Sequence, residues 1–158
     1  MKLPTASYPK NKLSTPKIYF IYGLAIVIII MVVSQLMTIE KFLPIIENYQ
    51  LPGGSPTAKI TVFSLATSGI FSLPFLMRMS LSPLFRICSA ILLNLYGVIW
   101  LMLAMWIVIA NPPLIGIGIF GGLLKSIPGE VVLPFAIILL ASTIFATCLL
   151  RKDLKFKL

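Results

Sequence analysis

The chain has 158 residues, of which 59% are hydrophobic and only 11% charged. Soluble globular proteins carry about 25% charged residues, so a water-facing surface is excluded: there are too few charges to coat it. Thirteen Lys and Arg against 4 Asp and Glu give a net charge of +9; with no histidine and two cysteines, neither a disulfide framework nor a zinc site is legible.

Residues 1–17 form a basic tail with Pro4, Pro9 and Pro16 and the lysines Lys2, Lys10, Lys12 and Lys17. This composition predicts a segment that is disordered or lies on the lipid surface. A charged start before an apolar run also fits a signal peptide, but the run is too long and no small-x-small cleavage site closes it. Retention of the segment is therefore expected.

Four apolar runs follow, at residues 18–37, 60–77, 87–110 and 131–150, and none contains Asp, Glu, Lys or Arg. A helix rises about 1.5 Å per residue, so each run can cross a hydrocarbon core of about 30 Å, the second only just. One charge at a helix centre costs roughly 2.5–3.5 kcal/mol on insertion scales. Inside a bilayer the backbone must satisfy its own hydrogen bonds, so these runs are predicted to be helices. The expected fold is an all-α membrane protein, a four-transmembrane-helix bundle running up-down-up-down over 18–150, with a second basic tail at 151–158. The basic residues sit in short segments between the runs. They do not form the continuous face that nucleic acid binding requires, and anionic lipid head groups are the expected partners.

The connecting segments differ. In residues 38–59, Ile39, Phe42, Leu43, Ile45, Ile46 and Tyr49 alternate with polar groups. This reads as a short interfacial element, broken at Pro44 and ended by Leu51, Pro52, Gly53 and Gly54. Residues 78–86 are short and predict a tight antiparallel pair. Residues 111–130 are rich in Gly and Pro yet apolar, and are expected to dip into the membrane or pack across the bundle's outer end. With the N-terminus inside, ten Lys and Arg lie inside and three (Lys41, Lys59 and Lys125) outside. The positive-inside rule then places both termini in the cytoplasm of a multi-pass cell-membrane protein.

Several residues within these segments invite a functional reading. Gly116, Gly118 and Gly121 spell G-x-G-x-x-G, but no strand precedes them as dinucleotide binding requires, and close backbone packing explains them better. Ser64, Ser68, Gly69 and Ser72 place small residues along one face of the second run, a seam for internal packing or for a partner. Asn94 predicts an interhelical hydrogen bond, for instance to a hydroxyl on the second run. Gln35, near the end of the first, calls for no special role. Cys88 and Cys148 fall at similar depth and could form a thiol pair, although a cytoplasmic setting favours reduced, apolar fillers. Tyr19, Tyr22, Tyr49, Tyr96, Trp100 and Trp106 are scattered, some at the depth of an interfacial aromatic belt. Pro74 is expected to kink the second run. Pro134 sits in the first turn of the fourth, with Glu130 before its positive end.

The layout resembles the DoxX and MauE-like four-helix membrane proteins. The likeness rests on three features. The segment from Glu40 through Phe42, Ile45, Ile46 and Tyr49 to Leu51 and Pro52 resembles the family's segment of spaced Phe, Ile and Tyr before Leu-Pro. The short basic turn with Arg78 and Arg86 is similar too. The stretch Gly118-Ile119-Phe120-Gly121-Gly122-Leu123-Leu124 stands where MauE-like proteins often carry Cys-Gly-Cys-Phe-Gly. Aligned on Phe120-Gly121, Ile117 and Ile119 occupy the places of those cysteines, and Ile cannot exchange disulfides. The resemblance implies disulfide maturation of a partner or quinone-linked chemistry, with a quinone or lipid as the possible ligand. The residues themselves show no nucleophile-base or metal constellation. They point to a non-catalytic accessory subunit bound to other membrane protein subunits, with a redox protein or an oligomeric transporter component as alternatives.

Overall fold

The computed structural model describes residues 13–110, 118–120 and 131–154. They form α1 (Thr15–Met37), α2 (Ile39–Glu47), α3 (Gly54–Leu76), α4 (Pro83–Ala110), a single 3-10 turn (Gly118–Phe120) and α5 (Val132–Leu154). The expectations placed on residues 1–12, 111–117, 121–130 and 155–158, including Gly116, Ile117, Gly121, Lys125 and Glu130, lie outside the described residues.

Four of these helices, α1, α3, α4 and α5, are long and apolar enough to cross a membrane. Each extends beyond the charge-free run that predicts it. The helices starting at Thr15 and Pro83 carry Pro16 at the second position and Pro83 at the first, within the first turn, where proline presets φ and lacks only a donor that would have no helical partner. In α3 the helix begins at Gly54, after Gly53 takes a left-handed φ of +96°. A Cβ at Gly53 would also collide with the Thr57 hydroxyl. The charge that ended the predicted run, Lys59, is exposed within the helix, where its stem can lie along apolar surface while its head reaches the interface.

The interfacial segment is one continuous helix rather than an element broken at Pro44. Thr38 O accepts the N–H groups of Lys41 and Phe42, both at 2.8 Å, and starts α2. Pro44 lies inside that helix. It removes only one backbone bond, to the Glu40 carbonyl, and both residues are exposed, so the loss falls where solvent or head groups can compensate it. The buried face of this segment is Phe42, Ile46 and Tyr49.

α3 packs against α4, α4 against α5, and α1 against α3, with a slighter α1–α5 contact closing the bundle. Phe20 and Phe145 meet edge-on at 5.2 Å across that closing contact. α2 lies on α3, and the 3-10 turn lies on α1, so one end of the bundle is capped. The other end carries the connection around Arg78.

The interior is an apolar core, as in a soluble fold, but the exterior is apolar as well. Ser34, Gln35, Ser68, Ser72, Ser89 and Thr143 are buried, while Tyr19, Phe63, Met102, Ile109 and Ile138 lie outside. A soluble bundle buries its apolar stripe and exposes polar groups; here the apolar faces look outward over four spans. The chain is an integral membrane protein. Most buried hydroxyls donate to their own helix: Ser34 to Ile30 O (2.6 Å), Ser68 to Ser64 O (2.6 Å), Ser72 to Gly69 O (2.7 Å) and Thr143 to Leu140 O (2.8 Å).

Candidate functional site

Three long-range hydrogen bonds meet at the capped end. Gln35, 2% exposed, donates from Nε2 to the Ile119 carbonyl at 3.0 Å. It thereby holds the 3-10 turn on the end of α1, a role its position in an apolar run does not reveal. Tyr49, fully buried, works in two directions. Its carbonyl accepts the Trp106 indole N–H at 2.8 Å, and its hydroxyl accepts the Gly118 N–H at 3.3 Å. Burial pushes the Tyr49 phenol up from its usual 10.0, partly offset by the Gly118 N–H. Gly118 is glycine for lack of space, since a Cβ there would stand 2.5 Å from Phe42 Cε2.

Below this cap lies a second polar group. The side chains of Gln35 and Trp100 adjoin the Tyr96 hydroxyl, yet Gln35 Oε1, the Tyr96 hydroxyl and Trp100 Nε1 close no hydrogen bond of full geometry. Tyr96 and Trp100 are fully enclosed, so neither belongs to an interfacial belt. Tyr19 and Tyr22 are the exposed tyrosines among the described residues.

The residues singled out in the sequence are dispersed. Ser68, Gly69 and Ser72 are buried against the rest of the bundle, whereas Ser64 is half-buried. A Cβ on Gly69 would collide with Val32 Cγ2 of α1 and stand 3.2 Å from Tyr96 Cε2 of α4. Asn94 does bond across helices, but its partner is Thr147 on α5 (2.9 Å) rather than a hydroxyl on α3; it also donates to Ala90 O (2.8 Å). The interhelical contact between α3 and α4 comes instead from Ser89, whose hydroxyl donates to Phe71 O at 2.6 Å. That carbonyl neighbours the Ile70 carbonyl, which Pro74 leaves without its helical donor. Cys88 and Cys148 are free thiols exposed on the bundle's exterior. Among the described residues, no three His, Cys, Asp or Glu side chains gather as metal ligands would.

A lateral groove of about 490 Å³ lies between α1, α2 and α3. Leu36, Ile39, Leu43, Phe63 and Ile70 form much of its wall, with Lys59 at the capped end. Its size falls in the range of small-molecule sites, about 300–1,000 Å³, and its lining is mostly apolar, as theirs is. The amphipathic spacing of α2 hints at a buried face there, but nothing in the residues foretells the groove, which exists only once α2 folds back on α3.

Comparison with protein-family models, curated proteins and solved structures returns no match.

Proposed function

We propose that the chain is a non-catalytic membrane subunit or accessory factor that docks within the bilayer to a larger membrane complex, with both termini cytoplasmic. The carrying observation is the position of α5. Only 28% of its span is buried within the bundle, against 44% for α1 and 39% each for α3 and α4. It leaves Ile137, Ile138, Ala141, Ile144, Phe145 and Cys148 facing outward, at the spacing of one helix face. Ala141 within that stripe would admit a second helix at close range. The middle of every span is free of Asp, Glu, Lys and Arg, which gives an ion or proton path no ionisable group to use.

The test is purification of the tagged chain from native membranes in mild detergent, followed by mass spectrometry of what stays bound. The expected result is a fixed-ratio set of partner subunits, released by Ala141→Trp while the chain itself stays folded. Lipid yields to that indole; a packed partner helix does not. Recovery of the chain alone with a bound quinone would overturn this reading in favour of a DoxX-type redox protein. The redox alternative draws on the two accessible thiols, and unchanged native activity after replacing Cys88 and Cys148 with Ser would remove its thiol form.

A further inference from the structure

The lateral groove lies on a different face from the α5 stripe, and its dimensions restrict what fills it. From Lys59 to Ile70 its α3 wall measures roughly 16 Å at about 1.5 Å per residue. The hydrocarbon core of a bilayer is about 30 Å thick. The groove therefore penetrates one leaflet and stops. A transmembrane helix of a partner would need a groove along the full span, whereas a single lipid acyl chain occupies one leaflet.

Its chemistry is equally asymmetric. Apart from Thr67 the wall is apolar along its depth, and its one charged residue, Lys59, stands near the N-terminal end of α3. Lys59 is exposed, and among the described residues no acid pairs with its ammonium. Glu47, which belongs to the same capped end, accepts the Ser55 hydroxyl at 2.6 Å instead. A positive charge at head-group depth above a leaflet-deep apolar slot complements a lipid with a negative head.

We infer that this groove binds an anionic phospholipid, with one acyl chain along α3 and the head-group phosphate beside Lys59. Ile39 and Leu43 of α2 flank the upper part of the chain, so the amphipathic helix that caps the bundle also forms one side of the lipid site.

The test uses the full chain in detergent and native mass spectrometry, with phosphatidylglycerol and phosphatidylcholine of matched chains as probes. One bound phosphatidylglycerol is expected, held more tightly than phosphatidylcholine. Lys59→Gln should weaken phosphatidylglycerol about fivefold, the weight of one basic residue against anionic lipid, and leave phosphatidylcholine unchanged. Ala66→Phe, which fills the slot from its α3 wall, should weaken both lipids. Lys41→Gln removes a charge at the same end but outside the groove and should change neither. Equal phosphatidylglycerol binding by wild type and Lys59→Gln overturns the proposal. So does a protein that co-purifies at one-to-one ratio and is displaced by Ala66→Phe. Lys59→Gln alters only an exposed side chain, so its result stands even if Ala66→Phe fails to fold. Ala141→Trp, which tests the α5 face, should leave lipid binding intact, so the two readings fail separately.

Discussion

Alanine at Gly69 measures how closely α3 is held between its two neighbours. The added Cβ would collide with Val32 Cγ2 on α1 and press on Tyr96 Cε2 at 3.2 Å on α4. Neither neighbour yields easily. Val32 is 2% exposed and Tyr96 is fully buried, and a β-branched valine keeps essentially one rotamer in a helix. Two effects oppose each other. Replacing Gly by Ala within a helix gains about 1 kcal/mol of propensity, and overpacking a tight core costs about 1–3 kcal/mol. The net expectation is a loss of up to about 2 kcal/mol, their difference. Gly23, with nothing within 4 Å of its would-be Cβ, supplies the control: Gly23→Ala should show the gain alone. Val32→Ala removes the opposing methyl, so the double variant should recover much of the loss. The assay is reversible unfolding in mixed micelles of wild type, Gly23→Ala, Gly69→Ala, Val32→Ala and the double variant. A double-mutant cycle should return a coupling on the order of 1–3 kcal/mol. If Gly69→Ala stabilises as much as Gly23→Ala, or the coupling is near zero, the close three-helix contact at Gly69 is refuted.

Other substitutions probe the cap and the interior. Tyr49→Phe deletes the acceptor of the Gly118 N–H; exchange of that amide with deuterium should speed up about fivefold, the equivalent of one hydrogen bond of about 1 kcal/mol. Because burial holds the folded Tyr49 pKa above its unfolded 10.0, its stabilising contribution is fully present below pH 10 and is lost as pH rises through the folded value; the unfolding free energy of wild type should follow that course, and that of Tyr49→Phe should lack this component. Gln35→Leu leaves the buried Ile119 carbonyl without its donor and should cost about 1–3 kcal/mol in the same unfolding assay. Ser89→Ala removes the α3–α4 bond to Phe71 O and should cost about 0.6 kcal/mol, the mean for such intramembrane bonds. A membrane-permeant apolar maleimide should label both Cys88 and Cys148 in the purified chain, and protection of Cys148 in native membranes alone would map a partner onto α5.

The spans were legible because a mid-bilayer charge is so costly that its absence over a whole run is informative. Their ends were not, because that cost fades at the interface. Lys59 and Arg86 could therefore sit inside helices beginning at Gly54 and Pro83. The apolar residues spaced along 38–59 announce an interfacial element, but not which of them turn inward, and Pro44 does not break it because a nine-residue helix needs so few internal bonds. Asn94 was correctly expected to reach another helix, yet which one depends on the bundle's order, and hydropathy carries no record of order. The buried roles of Gln35, Tyr96 and Trp100 are hidden for the same reason. An amide or indole in an apolar run looks alike whether it faces lipid or the core, and the carbonyl that Gln35 finds lies 84 residues away. The groove was the least accessible of all, being a gap between three elements.

The self-contained bonding of the buried hydroxyls bears on biogenesis. Ser34, Ser68, Ser72, Thr143 and Thr147 all donate to a carbonyl three or four residues back on their own helix, so each of these segments can leave a translocon already satisfied, before any neighbour arrives. The cap cannot. Its bonds join Gln35 to Ile119, Tyr49 to Trp106 and Gly118 to Tyr49, and so must wait until synthesis has passed α4. Closure of that end is therefore a late step of assembly. A chain arrested after α4 would hold three spans beneath an amphipathic helix not yet fastened to the 3-10 turn.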